Sequence, residues 1–235
     1  FETPLMLPSY QNSYGQGGNK DYFEWIDGTT GDGGTDESWG PALDAGLEFV
    51  QWNSYTVDGA PLPWVSQPDN IKDFYETGVT TNNSISFSGG AEDIGYRLSV
   101  GYMDQQGMVP NTDLSRVSIG ASSSYQMGDK FTTTVDANYT TSHSDNFVTQ
   151  GYNNENPVQQ MIWSGRNVDF NALRDWRNLP LSPAGTAAAG TPLNWNTVFQ
   201  NNPFWVLDTN TREYDRNRLV GNITATYEFS DKISM

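Results

Sequence analysis

The sequence predicts an all-β chain: antiparallel strands of a transmembrane β-barrel wall, with short turns at one end and long extracellular loops at the other. Three observations predict it. A strand-and-turn module occurs twice, as Arg116-Val-Ser-Ile-Gly-Ala-Ser-Ser-Ser-Tyr125-Gln-Met-Gly-Asp129-Lys130-Phe131 and as Arg218-Leu-Val-Gly-Asn-Ile-Thr-Ala-Thr-Tyr227-Glu-Phe-Ser-Asp231-Lys232-Ile233. Each copy alternates small or apolar residues with polar ones, so a strand built from it has one apolar and one polar face. The alternation outlasts the ~5–6 residues of an ordinary soluble strand and reaches the ~9–11 that cross a bilayer obliquely. Finally, short turns alternate with long irregular stretches, as in bacterial outer-membrane barrels.

The elements follow in order. Residues 82–89 read as a strand with Ile85 and Phe87 on one face, and a turn at 91–94 leads to a second strand with Tyr96, Leu98, Val100 and Tyr102 together. A loop with Pro110 precedes strand 115–126, where Val117, Ile119, Ala121 and Tyr125 share a face. The turn 127–130 feeds strand 131–141 (Phe131, Val135, Ala137, Tyr139), and the last full strand is 216–228. With the turns 91–94, 127–130 and 229–232 on the periplasmic side, the stretches 3–80, 104–114 and 143–211 lie outside. Tyr125, Phe131 and Tyr227 then fall in the periplasmic-side aromatic girdle, and Tyr102 and Tyr139 nearer the outer one. The chain divides into 1–81 (strand end and long loop), 82–142 (four strands), 143–211 (long loop) and 212–235 (strand, turn and the start of another). It begins abruptly at Phe1 and ends inside a strand pattern at Ile233-Ser-Met235, so an internal piece of a larger protein is expected. The same alternation also suits the core of a soluble sandwich.

Composition narrows the classes. Mean hydropathy is −0.61, and no run approaches the ~18 apolar residues of a spanning helix. That argues against helical membrane proteins and leaves barrels open, since only every second barrel residue meets lipid. Cysteine is absent and His143 is the one histidine, which removes disulfides and thiolate or multi-histidine zinc sites. Residues 1–81 carry 13 acidic and 2 basic side chains, net −11 of a total −16, a balance that repels nucleic-acid phosphates.

The long loops hold all eight tryptophans: Trp25, Trp39, Trp52, Trp64, Trp163, Trp176, Trp195 and Trp205. So many aromatics argue against disorder. Such rings can stack on sugars or peptides, though more often they pack a loop onto itself or a partner. Asn156-Pro-Val-Gln-Gln-Met-Ile-Trp163 predicts a short helix with Pro157 at its first position. Asp27, Asp32, Asp36 and Glu37 sit in a Gly/Thr-rich run that can gather oxygen ligands for Ca²⁺, but at no EF-hand spacing; the usual fate of acidic loops is solvation.

Catalytic patterns are weak, and no enzyme is expected. Ser142-His143-Ser144-Asp145 brings triad residue types together in sequence, whereas triads assemble from separated segments. Nothing selects a carboxylate pair for glycoside hydrolysis. Gly15-Gln-Gly17-Gly18 lacks the strand and helix of a phosphate-binding loop.

Several motifs, in order, carry a resemblance: Leu7-Pro-Ser-Tyr-Gln-Asn-Ser-Tyr-Gly-Gln-Gly17, Ser38-Trp-Gly-Pro41, Asp69-Asn-Ile-Lys-Asp-Phe-Tyr-Glu-Thr-Gly78 and Asn83-Ser-Ile-Ser-Phe-Ser-Gly-Gly90. With them go Tyr96-Arg-Leu-Ser-Val-Gly-Tyr-Met-Asp-Gln-Gln-Gly107, Val109-Pro-Asn-Thr-Asp-Leu-Ser-Arg116 and Asn201-Asn-Pro-Phe-Trp205. Across essentially its whole length the chain resembles the SusC/RagA-like TonB-dependent outer-membrane transporters of Bacteroidetes. The resemblance implies about six strands of a plugged barrel of ~22, set in outer-membrane lipid. It implies import of glycans, oligosaccharides or peptides, with no cofactor. The implied partners are a SusD-like surface lipoprotein and the TonB–ExbB–ExbD complex, the latter acting through a plug domain that these residues do not include. A dimer of transporter–lipoprotein pairs is compatible with it. On this reading the ligand-contacting residues are Trp163, Arg166, Arg174, Trp176, Arg177, Trp195 and Trp205 in the second loop, with Trp25, Trp39, Trp52 and Trp64 in the first. Ser38-Trp-Gly-Pro41 reads as an architectural turn. The rival readings are a soluble secreted carbohydrate-binding or hydrolytic β-domain, and a surface adhesin or assembly scaffold.

Overall fold

The structure is a computed structural model, and it describes residues 4–26, 31–153, 155–230 and 233–235. Its chain forms two compact units. One draws on Phe1–Glu76, Val109–Asn111 and Val148–Thr211, and the other on Thr77–Met108, Thr112–Phe147 and Arg212–Met235.

The second unit is a mostly consecutive antiparallel sheet. Numbering strands along the chain after a short pair in the first unit, β1 (Glu48–Phe49) and β2 (Leu62–Pro63), the sheet comprises β3 (Val79–Ala91), β4 (Ile94–Gln106), β5 (Asp113–Met127), β6 (Phe131–Ser144), β7 (Tyr214–Ser230) and β8 (Ile233–Ser234). They pair in the order β3-β4-β5-β6-β7-β8, so the sheet is open, with β3 and β8 at its edges. The strands run several residues beyond the predicted ends because polar residues such as Thr80, Gln105 and Ser144 continue the ladder after the apolar alternation stops. Gly128 supplies the left-handed residue (φ 61°) of the β5–β6 turn, a conformation that costs a side-chain-bearing residue most.

Register sorts the side chains onto two faces. One cross-strand row is Ile85, Val100, Ile119, Tyr139 and Leu219; the next is Phe87, Leu98, Ala121, Ala137 and Gly221. These residues and their neighbours Tyr96, Val135 and Ile223 make an apolar face that is exposed rather than packed. Residues of opposite parity, among them Ser84, Ser86, Ser99, Ser118, Asn138 and Thr140, make the other face polar.

The aromatic residues bounding the apolar face are staggered. Tyr102 on β4 shares a row with Val117 and Thr141, yet the tyrosine of β6 is Tyr139, two residues nearer the turn end. Likewise Tyr125 on β5 shares a row with Thr133 and Ala225, while β7 carries Tyr227, again two residues nearer the turn end. Both aromatic lines therefore slope alike across the sheet. Toward the loop end the face turns charged, with Asp104, His143 and Asp215 lying beyond Tyr102.

The first unit gathers the two long stretches, whose backbone is largely irregular as the sequence predicts, around one core. Its segments share a core of Phe23, Trp25, Trp52, Trp64, Phe74, Phe170, Leu173, Trp195 and Phe204, with smaller apolar residues between them. Four short helices line it: α1 (Asn70–Phe74), α2 (Pro157–Ile162), α3 (Phe170–Arg174) and α4 (Pro203–Thr209). The predicted helix at 157 is present; the Asn156 side chain accepts from the backbone N–H groups of Val158 and Gln159, and Pro157 occupies the first turn, where no N–H is needed. Asn202-Pro203 starts α4 by the same device. Among the described residues no helix is long and apolar enough to cross a membrane.

Candidate functional site

Half of the tryptophans expected to meet ligand are buried by packing, the fate that loop tryptophans more often have. Trp52, Trp64 and Trp195 are 1%, 0% and 0% exposed, and Trp25 is 1% exposed. A ring with no accessible face cannot stack on a ligand, so the structure corrects these four to core residues. Trp25 Nε1 donates to Trp195 O (2.9 Å) and Trp64 Nε1 to Pro41 O (3.0 Å), which tethers distant segments through the indoles.

The arginines of the second segment are ties of the same kind. Arg166 is buried and donates to Asn12 Oδ1 (2.8 Å), Asn70 Oδ1 and Pro68 O. Burial pulls its pKa down, partly offset by Tyr10 and Asp69. Arg174 pairs with Glu76 (2.7 Å) and lies 4.6 Å from the centroid of the Phe204 ring. Arg177 stacks 4.3 Å over Trp176 and pairs with Asp208 (2.9 Å), whose other contact is a bond from Trp176 Nε1 (2.9 Å). Trp205 is partly buried on α4. Arg166 is thus committed to the fold, whereas Arg174, Trp176 and Arg177 are paired yet partly exposed and Trp205 is half-buried.

Two of the expected residues retain free rings: Trp39 is 70% exposed and Trp163 40% exposed. Trp163 lines an open cleft of ≈ 160 Å³ with Tyr10, Gln11, Asp36, Ser38 and Arg166. Desolvation raises the Asp36 carboxyl, opposed by its own backbone N–H and reinforced by Glu37. The cleft thus sets one aromatic face beside a carboxylate, a hydroxyl and an amide, the groups that bind a hydroxylated ligand with an apolar side. Its volume is below the ~300 Å³ of a complete small-molecule pocket, so it holds part of a ligand.

Ser38-Trp-Gly-Pro41 is architectural, as its residues suggest. The Trp39 and Gly40 N–H groups donate to Gly17 O (2.9 Å) and Gly15 O (3.0 Å), and Pro41 O accepts from Gly15 N–H (3.2 Å). A Cβ on Gly40 would meet Gln16 O at 1.9 Å, which explains the glycine.

The acidic run does not assemble. Asp32, Asp36 and Glu37 do not bring three ligand atoms together, and Asp27 lies outside the described residues. Asp32 instead accepts from the Glu24 N–H (3.1 Å). A grouping that the sequence did not reveal is His143 on β6 with its cross-strand partner Asp215 and with Glu213, just before β7. Both imidazole nitrogens are already in contact with carboxylates, Nδ1 with Asp215 (2.8 Å) and Nε2 with Asp145 (3.1 Å). Ser142 and His143 point to opposite faces of β6, so these sequence neighbours do not form a nucleophile–base pair.

A second set not evident as such from the sequence is Arg116, Arg216 and Arg218 on the polar face of the sheet, around an open hollow of ≈ 260 Å³. Its sequence signal is present: the repeated modules open on Arg116 and Arg218. A scan against protein-family models and a search of curated proteins each returned no match to this chain.

Proposed function

We propose that this chain is part of the wall and outer loops of a TonB-dependent outer-membrane transporter of the SusC/RagA type. In this reading the apolar face meets lipid, the polar face lines the lumen, and the intact protein imports glycans, oligosaccharides or peptides together with a SusD-like surface lipoprotein. Energy would reach it from TonB–ExbB–ExbD through a plug domain.

The slope of the aromatic lines carries the reading. A shift of two residues is ~6.8 Å along a strand, and two strand spacings are ~9.6 Å, so a level girdle requires the strands to tilt by ~35°. Membrane barrels tilt by ~35–45°. From Phe131 to Tyr139 on β6 is ~27 Å along the strand, or ~22 Å in height at that tilt, near the ~25 Å of a barrel's apolar band. A soluble sandwich needs no common slope in its aromatics.

The test is to isolate outer membranes of the source cell and follow the intact polypeptide that carries this sequence. A detergent-extracted, heat-modifiable protein that co-purifies with a surface lipoprotein supports the transporter. A compact species soluble without detergent refutes it.

A further inference from the structure

We infer that Arg116, Arg216 and Arg218 form an oxyanion subsite, and that the ligand it takes is an acidic oligosaccharide bearing carboxylate or sulfate groups. The inference rests on the transporter reading above, in which this face lines the path of the cargo.

Register builds the cluster. Arg116 on β5, Ser142 on β6 and Arg216 on β7 occupy one cross-strand row, and Ser118, Thr140 and Arg218 the next on the same face. Strands lie ~4.8 Å apart, so Arg116 and Arg216 stand ~10 Å apart with the small Ser142 between them. Arg218 follows Arg216 by two residues, ~6.8 Å along the strand. Three long guanidinium side chains thus surround a shallow floor of serine and threonine, with Tyr214 at its rim.

The cations are available. Arg116 Nε donates to Ser142 Oγ (3.2 Å), and none of the three joins an ion pair among the described residues. The nearest acidic position on the polar face of β6 is Asp136, four residues from Thr140 and ~14 Å along the strand. Asp215 and Asp113 do not compete: Asp215 projects to the other face and contacts His143, and Asp113 accepts from the Asp145 and Asn146 N–H groups. In a chain of net charge −16, three unpaired arginines around one hollow are a local reversal of sign. Guanidinium forks match the two oxygens of a carboxylate or sulfate, and a concave site concentrates their field.

The surroundings favour a sugar chain over a peptide. The Arg218 row continues to Ser84, and the next two rows toward the turn end carry Ser86, Ser99, Asn138, Ser88, Ser122 and Asn222, hydroxyl and amide groups that bond to sugar hydroxyls, with Arg97 and Asp136 among them. They offer few apolar hollows for peptide side chains.

The experiment uses the intact polypeptide purified in detergent. Calorimetric titration compares an oligogalacturonate, its neutral methyl ester of equal length and an acidic peptide. The expected result is that the oligogalacturonate binds at least tenfold more tightly than the ester and the peptide, and that this margin shrinks with added salt. Arg216→Gln and Arg218→Gln should each weaken the acidic ligand roughly five- to tenfold and leave the ester unchanged. Arg97→Gln, on the same face but six positions from the cluster's row along β4, should do neither. Equal binding of acid and ester, an unchanged margin in the variants, or preference for the acidic peptide overturns the proposal. If a variant does not fold, the acid–ester comparison and its salt dependence in the unsubstituted protein decide alone. Heat modifiability and lipoprotein co-purification of the same preparation report separately on the transporter, so a failed subsite and a failed transporter give different results.

Discussion

At the residue scale, side chains that look alike in sequence have separated into different roles. Trp195 and Trp163 illustrate it: one is sealed, the other keeps 40% of its surface exposed. Trp195→Ala should destabilise the first unit by about 3–5 kcal/mol, seen as new protease cleavage across residues 4–76 and 148–211. Trp163→Ala should leave that digestion pattern unchanged and weaken ligand binding several-fold; unaltered binding would remove the cleft from consideration. Gly40→Ala should cost on the order of 3 kcal/mol, because its methyl group would strike a backbone oxygen rather than a movable side chain. Asp44 offers a pH test. The Ser66 hydroxyl (2.6 Å) and N–H (3.0 Å) hold its carboxyl below the ordinary carboxylate range. A lowered carboxyl stabilises the fold above its unfolded pKa and loses that contribution as pH falls through the folded one. Acid should therefore loosen the Asp44–Ser66 clasp, and Asp44→Asn should remove the acid-induced loss of protection at the Ser66 N–H, measured as its exchange relative to the free-peptide rate at each pH.

At the element scale, the strands were legible and the first unit was not, for a physical reason. A strand's two faces are written in residues two apart, so Tyr96, Leu98, Val100 and Tyr102 announce themselves. The cap-and-proline start at Asn156-Pro157 is equally local, and the same signal at Asn202-Pro203 marks α4. By contrast, Gln16 N–H donates to Asn167 Oδ1 (2.8 Å) across 151 residues, and Asn70 Nδ2 to Gly165 O (3.1 Å) across 95. No periodicity reports such pairs, which is why Arg166 read as a ligand contact when it is a tie. The faces of the sheet give a sharp prediction. On the proposed transporter reading, Leu98→Arg, near the middle of the apolar face, should destabilise the intact protein in detergent by about 2–4 kcal/mol, measured by denaturant titration. Ser99→Arg, one residue on and facing the other way, should cost far less. Equal costs would mean that the apolar face does not meet lipid.

At the scale of the whole molecule, the two units are interleaved along the chain, and each is assembled from three separate segments. Sequence separation differs sharply between them. The pairings among β3, β4, β5 and β6 join neighbours through short connections, whereas the core of the first unit awaits the arrival of residues beyond 148. Pairings that close small loops form early, and those that must draw distant stretches together form late. In pulse-labelling hydrogen exchange during refolding into detergent, amides of 79–144 should gain protection before those around Trp25, Trp64 and Trp195; simultaneous protection would contradict this order. When synthesis has reached residue 147, Gln16, Trp25 and Asn70 are thus still waiting for Asn167, Trp195 and Gly165. Until then the first segment has only its own ring contacts, such as Phe23 with Trp64 and Trp25 with Tyr55, and this interval is when the chain is most open to proteases and to a chaperone.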